Sequence, residues 1–279
     1  MCGIFGYVGT QKCNYKNIEN DLAIGIGRLS HRGPDGTGKW ISENKIAGFA
    51  HARLSIIDLQ AGAQPMVSES GRYTITYNGE IFNYIELRSL IGPNEFATNS
   101  DTEVILKAYE KWGVKCLSYL RGMFSFAIWD NKENKLFIAR DRFGIKPLYW
   151  VETAKGLFFA SEIKALLPFL DEKSVNSSAL ADYFSFQFCL GNKTLMNGVQ
   201  QMPAAHYAVY SAGEALKPER YWEVHYAIDY DHTEKWFTER LRELLVDSVD
   251  VHLRADVEVG SYVSGGVDSS LLASLARDV

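Results

Sequence analysis

Met1-Cys2-Gly3-Ile4-Phe5-Gly6-Tyr7-Val8-Gly9 opens the chain, a thiol one residue behind a methionine and at the head of a short apolar run bounded by glycines. If Met1 is removed, Cys2 carries a thiol and a free α-amine on one residue. A terminal amine titrates at roughly 7.7–8.0 and a free thiol near roughly 8.5, so an amine partly neutral at working pH can serve as base for its own side chain. In this way an N-terminal nucleophile replaces a separate Cys–His pair. The competing account is a small buried cysteine at the start of an edge strand, and Cys2 alone does not separate the two.

Outward from that stretch, 279 residues suggest one large domain or one and a half. A net charge of -5 gives no electrostatic case for nucleic acid or an anionic membrane surface. No apolar run approaches the roughly 18 residues of a membrane span, and no secretory signal opens the chain. Cys2, Cys13, Cys116 and Cys189 lie far apart, with neither metal-ligand nor disulfide-framework spacing. That usage points to a reducing cytoplasm and to no metal site. Cys116 and Cys189, among Leu, Tyr and Phe, are expected as core thiols.

Ile18, Leu22, Ile26 and Leu29 recur at helical spacing, and Gly25 and Gly27 within that run imply close packing against a sheet. His31-Arg32-Gly33-Pro34-Asp35-Gly36 is a turn-rich loop whose plain interpretation is a surface turn. Residues 46–52 read as a strand that delivers Arg53 at its end, either as an exposed cap or as a fork for a carboxylate. Tyr73-Thr74-Ile75-Thr76-Tyr77 alternates as a strand into Asn78-Gly79. Asn-Gly signals a hairpin, but Asn83-Tyr84-Ile85-Glu86 reads as a capping box, so strand, turn and helix are expected. Ser100 to Glu103 is a second capping box, with Asp101 in the first helical turn. There a helix-dipole contribution of about 0.3–1 kcal/mol accounts for Asp101 as well as a ligand role does.

Residues 123–129, 135–140, 148–151 and 157–160 predict four short strands in an antiparallel meander, with short helices near 163–167 and 179–188. The less periodic stretch 211–232 reads as a linker between a first domain at 1–210 and a second part at 233–279. Phe237, Leu241, Leu244, Leu245 and Val251 mark an amphipathic helix. A strand at 257–263, the loop Ser264-Gly265-Gly266-Val267-Asp268-Ser269-Ser270 and a following helix together predict an anion cradle of main-chain N–H groups. The P-loop lysine is missing, so this is not a Walker motif. Because the sequence stops at Val279, one helix into a parallel α/β pattern, a cut domain is expected there.

Cys2-Gly3-Ile4-Phe5-Gly6, His31-Arg32-Gly33-Pro34-Asp35, Arg53-Leu54-Ser55-Ile56-Ile57-Asp58, Asn78-Gly79-Glu80 and Ser100-Asp101 resemble the class II glutamine amidotransferase domain. With Ser264 to Ser270 following, the resemblance narrows to the glutamine-hydrolysing asparagine synthetases and spans the whole chain. It implies an α+β fold, the four-layer αββα sandwich of N-terminal-nucleophile hydrolases with antiparallel sheets. The beginning of a doubly wound α/β ATP-pyrophosphatase domain would follow. It also implies Cys2 as nucleophile and Asn78 with Gly79 as oxyanion hole. Arg53 would clamp the glutamine α-carboxylate and Asp101 its α-ammonium, with Leu54, Ser55, Ile56, Ile57 and Glu80 lining the site. Arg32 would lie in a mobile loop that closes over the substrate. Val263, Ser264, Gly265, Gly266, Asp268 and Ser269 would hold ATP with Mg²⁺.

The implied enzyme is a carbon–nitrogen ligase that aminates aspartate with glutamine-derived ammonia, with a homodimer left open. Its alternatives are a class II amidotransferase with another ATP-activated carboxylate acceptor, or an inactive scaffold. Met202-Pro203-Ala204-Ala205-His206-Tyr207 departs from the family, where Pro-Gly tends to precede the histidine.

Overall fold

The structure, a computed structural model, describes residues 1–9 and 17–278; Cys13 lies outside them. In chain order the first strands are β1 (Gly3–Gly9), β2 (Gly36–Ile41), β3 (Ala47–Arg53), β4 (Met66–Val67), β5 (Tyr73–Ile81) and β6 (Gly122–Asp130). They continue as β7 (Lys135–Arg140), β8 (Tyr149–Thr153), β9 (Gly156–Ala160), β10 (Gln200–Gln201), β11 (His206–Ser211) and β12 (Glu219–Arg220). The helices are α1 (Ile18–Gly27), α2 (Tyr84–Ile91), α3 (Asp101–Trp112), α4 (Cys116–Tyr119), α5 (Ile163–Leu166), α6 (Ser177–Phe186), α7 (Glu234–His252) and α8 (Val267–Asp278).

Two six-stranded sheets form, ordered β10-β8-β9-β1-β3-β2 and β12-β11-β7-β6-β5-β4, with antiparallel pairing throughout. The opening apolar run is the inner strand β1, buried along its whole length between β3 and β9. Successive side chains point to opposite faces of a strand. Ile4 and Val8 accordingly enter the core shared by the two sheets, with Phe49, Trp129 and Ile138. Phe5 and Tyr7 face Leu22 and Ile26 of α1 and Leu166 of α5. At Gly25 a Cβ would lie 2.5 Å from the Phe5 ring, so α1 packs on the sheet at a distance only glycine permits. On the far side, Ile75, Tyr77, Phe124 and Phe126 pack under Val104, Ile105 and Ala108 of α3. Helix, sheet, sheet and helix therefore stack in four layers.

Four local expectations change. The meander divides between the sheets, with β6 and β7 in one and β8 and β9 in the other. The crossing at 141–148 is braced by Asp141, which accepts N–H bonds from Phe124, Phe143, Ile145 and Lys146. Arg140 adds bonds to the carbonyls of Gly144, Lys146 and Met202. Asn78-Gly79 is not a turn but lies inside β5, because the whole of β5 pairs with β6 from Tyr73↔Asp130 to Ile81↔Gly122. Asn83 does not cap α2; its side chain bridges Tyr119 O and Arg121 N instead. Ser100 does cap α3, accepting from Thr102 N, while Glu103 turns to Ala97 and Thr98.

The chain divides into two compact units, residues 1–55 with 60–223, and residues 56–59 with 224–279. In the first, β12 pairs with β11 inside the stretch read as a linker. In the second, Thr233 caps α7, its hydroxyl accepting from Trp236 N. No strand forms at 257–263: a parallel strand needs a neighbour for its N–H and C=O groups, and this unit supplies none among the described residues. Among those residues no helix is long and apolar enough to cross a membrane.

Candidate active site

Cys2 immediately precedes β1 and shares the alternation of Ile4, so its side chain falls toward the end of the space between the sheets. Its Sγ lies 3.4 Å from Leu54 N, which donates to it, and 3.5 Å from Leu54 O, to which the thiol can donate. Burial pushes the Cys2 thiol up, and the Leu54 N–H and the terminal ammonium oppose that push. Asp101 and Arg53 are both near enough to bias the thiol, in opposite directions. The terminal amine here belongs to Met1, and burial lowers its pKa.

Arg32 is held by partners on two sides. It sits in the short 3-10 turn Ser30–Arg32, donates from Nε to Cys2 O at 2.8 Å and pairs with Glu162 at 2.8 Å. The turn reaches Cys2 because Gly33 packs against the Ala52 main chain, where a Cβ would lie 2.2 Å from a carbonyl carbon. Burial pushes Glu162 up, but hydrogen bonds from Arg32, His31 and Lys164 outweigh it and bring it down to about 2. The loop is thus tied to Cys2 through Arg32 and Gly33, while His31, Pro34 and Asp35 stay exposed.

Asn78 is 1% exposed, and its Nδ2 is buried with no hydrogen-bond partner. Leaving such a donor unmet costs about 1–3 kcal/mol. Its neighbour Gly79 must be glycine, because a Cβ would lie 2.2 Å from Met123 O. On β5, Tyr77 N donates to Gln64 Oε1 at 2.7 Å and Ile81 N to Asp101 Oδ2 at 3.0 Å. Alternate residues of a strand direct their N–H groups to one edge, so the N–H of Gly79 points to that edge between these two.

Asp101, 6% exposed, also accepts the Tyr77 hydroxyl at 2.8 Å. Burial raises its pKa to about 6 despite these donors. Burial, with Asp101 nearby, raises Glu80 to about 7, and Lys146 opposes the shift. Arg53 ends β3, opposite Gly36, and Ser55 N donates to Asp35 Oδ2. Ile56 and Ile57 fall in the second unit, where Ile56 O accepts from Asp256 N and Asp58 N donates to Asp256 Oδ2.

Three residues near these groups lie outside the sequence motifs. Lys146 is 6% exposed, its pKa lowered by burial, within electrostatic reach of Glu80 and Cys2. The crowd of charge in Arg140-Asp141-Arg142 just before it was the available signal. Glu162 and Tyr77 carried no signal in their own surroundings. Of the expected core thiols, Cys116 is fully buried and raised by burial to about 12. Cys189 is only partly buried, beside the exposed rings of Phe186 and Phe188.

In the second unit, Ser264 to Ser269 forms a closed loop at the start of α8. Ser264 N and Oγ meet Ser269 Oγ, and Gly265 takes φ 84°. Among the described residues no group of carboxylates, histidines and thiols is arranged to hold a metal.

The family model described as Glutamine amidotransferase domain matches residues 1–222, and that described as Asparagine synthase matches residues 240–279. Asparagine synthetase (glutamine-hydrolyzing) 1 of Bacillus subtilis (strain 168) is 38% identical over 282 residues, 100% of this chain and 44% of the relative. A putative glutamine-hydrolyzing asparagine synthetase of Mycobacterium tuberculosis (strain ATCC 25618 / H37Rv) is 38% identical over 299 residues, 99% of this chain and 46% of the relative. The chain thus spans less than half the length of these curated relatives. Among solved structures, the glutamine phosphoribosylpyrophosphate amidotransferase of B. subtilis aligns with a TM-score of 0.56 at 17% identity. That match covers 100% of this chain and 64% of the other and concerns the fold.

Proposed function

The chain belongs to the glutamine amidotransferase family, and from that premise we propose that Cys2, once Met1 is removed, hydrolyses the side-chain amide of free glutamine. The observation that carries this is the buried, partnerless Nδ2 of Asn78 beside the N–H of Gly79. Two donors there would hold the oxygen of a tetrahedral intermediate, each worth a few kcal/mol on the order of an oxyanion-hole bond. The α-amine takes the thiol proton, and the thiolate attacks the amide carbon. The amine returns the proton to the leaving nitrogen, which departs as ammonia. Water then cleaves the γ-glutamyl thioester to glutamate and frees the thiol. Arg53 binds the α-carboxylate and Asp101 the α-ammonium, which selects a free amino acid over a glutamine within a peptide. Leu54, Ser55 and Glu80 complete the proposed lining.

The ammonia would serve amidation of aspartate on an ATP-activated carboxylate in a reducing cytoplasm, with the protein as a possible homodimer. The residue types of Val263, Ser264, Gly265, Gly266, Asp268 and Ser269 fit a pyrophosphate, with hydroxyls and main-chain N–H groups at a helix start. ATP with Mg²⁺, when bound, supplies the activation of the carboxylate.

The test is glutamate release from glutamine by the Met1-free chain. Cys2→Ala is expected to abolish it, and substantial turnover by that variant would sink the assignment.

A further inference from the structure

β4 begins only at Met66, and its pairings with β5 are Met66↔Ile75 and Val67↔Thr74. Tyr77 lies beyond that short strand, so no residue of β4 meets its main chain on this edge. A buried strand cannot leave an N–H and a C=O unmet. Side chains take the place of the missing strand. Gln64 Oε1 accepts the Tyr77 N–H at 2.7 Å, and His51 Nε2 lies 3.0 Å from the Tyr77 carbonyl oxygen. A carbonyl only accepts, so the hydrogen is on Nε2 and the imidazole takes that tautomer. His51 is fully buried in β3, in the other sheet. Its bond ties that sheet directly to the peptide between Tyr77 and Asn78. Burial lowers its pKa to about 4, so the imidazole is neutral at working pH. The Tyr77 hydroxyl, on the helix side of the same strand, donates to Asp101 at 2.8 Å. All three polar groups of Tyr77 are therefore engaged, and two of its bonds end next to residues with different proposed tasks.

We propose that His51 and Tyr77 are positioning residues for the glutaminase reaction: His51 fixes the Tyr77–Asn78 peptide and so aims the oxyanion donors, while the Tyr77 hydroxyl fixes the carboxylate of Asp101. The inference rests on the roles proposed above for Asn78, Gly79 and Asp101. One residue, Tyr77, then serves the transition state through its carbonyl and substrate capture through its hydroxyl. The two functions separate in kinetics because oxyanion donors act on the transition state, whereas an ammonium-binding carboxylate acts on ground state and transition state alike.

The experiment compares glutamine hydrolysis by the Met1-free wild-type chain, His51→Leu, His51→Gln and Tyr77→Phe, with thermal unfolding of each. His51→Leu is expected to lower kcat by about tenfold to a hundredfold with KM within about twofold. His51→Gln, whose amide N–H can donate to the same carbonyl, is expected to recover most of that loss even if its melting temperature stays low. Tyr77→Phe is expected to raise KM by about tenfold with kcat within about threefold. Wild-type kinetics in His51→Leu, no recovery in His51→Gln, or the same signature for His51→Leu and Tyr77→Phe overturns the positioning role. Absence of glutamate release by the wild-type chain overturns the glutaminase reading and this inference with it. A working wild type with unaffected variants overturns the inference alone.

Discussion

Arg32 grips the main chain of Cys2: its Nε donates to the Cys2 carbonyl at 2.8 Å while its other end pairs with Glu162. Cys2 immediately precedes β1, and strand ends tend to fray unless tied down. A guanidinium planted between a carbonyl and a carboxylate holds that end against the sheet, and Glu162 in turn is held by His31 and Lys164.

Arg32→Ala should therefore lower kcat/KM for glutamine hydrolysis on the order of tenfold or more, because the thiol loses its fixed angle of attack. Arg32→Lys should recover little, since one ammonium does not span both acceptors as the planar fork does. Steady-state kinetics with the Met1-free chain would decide it. Unaltered rates in Arg32→Ala would show that β1 alone holds the nucleophile.

Recognition and chemistry should separate by residue. Arg53→Ala and Asp101→Asn are expected mainly to raise KM, by the ~2–5 kcal/mol typical of breaking one side of a buried charge contact. Asn78→Ala should mainly lower kcat. If Asp101→Asn altered the melting temperature and left KM alone, a helix-dipole role would account for Asp101 after all.

The site carboxylates make function and stability oppose each other. Asp101 and Glu80 have folded pKa values raised by burial to about 6 and about 7. Groups raised in this way stabilise the fold fully below their unfolded pKa values, and that contribution is lost as pH rises through the folded ones. Asp101→Asn should thus be more stable than wild type above about pH 7, with the gap closing toward about pH 4. Urea unfolding across that range measures it. Catalysis should run the other way: kcat/KM should fall as pH drops through about 6, because Asp101 in its proposed role must be ionised to hold an ammonium.

Ala205 takes φ 59°, a left-handed conformation that costs a non-glycine residue about 1–2 kcal/mol. It is held there by Ala205 N donating to Asp141 O and by Tyr221 N donating to Ala205 O. Ala205→Gly should stabilise the first unit by about 1 kcal/mol or less, since glycine relieves the strain but loses more chain entropy. A lower unfolding midpoint for the variant would mean the turn carries no strain.

Removal of Met1 should switch the activity on. With Met1 attached, the Cys2 nitrogen is a peptide amide without basicity near neutral pH. Unprocessed chains should bind glutamine through Arg53 and Asp101 yet turn over very slowly. Intact mass would separate the two forms for assay. Equal activity would give the role of base to a side chain, His31 or His51. The neutral His51, with Nε2 committed to Tyr77, is poorly placed for it.

The sequence by itself determined the parts list: Cys2 at the head of a buried strand, Arg53 at the end of another, Asn78-Gly79 on a third and Ser100 capping the helix that opens with Asp101. Each was legible because it rests on local chemistry, a two-residue alternation, a cap or a rare residue pair. Tertiary structure alone decided how those parts meet. The meander reads the same whether its strands share one sheet or cross between two, because alternation is a property of one strand and pairing is not. The turn signal of Asn78-Gly79 was overruled by the full pairing of β5 with β6. His51 meets Tyr77 across 26 positions of sequence, where β4 starts too late to pair with Tyr77 and leaves a peptide to be satisfied. The raised carboxylates and the lowered Lys146 come from burial and from neighbours distant in the chain. Desolvation is set by everything packed around a group, and local sequence carries no record of it.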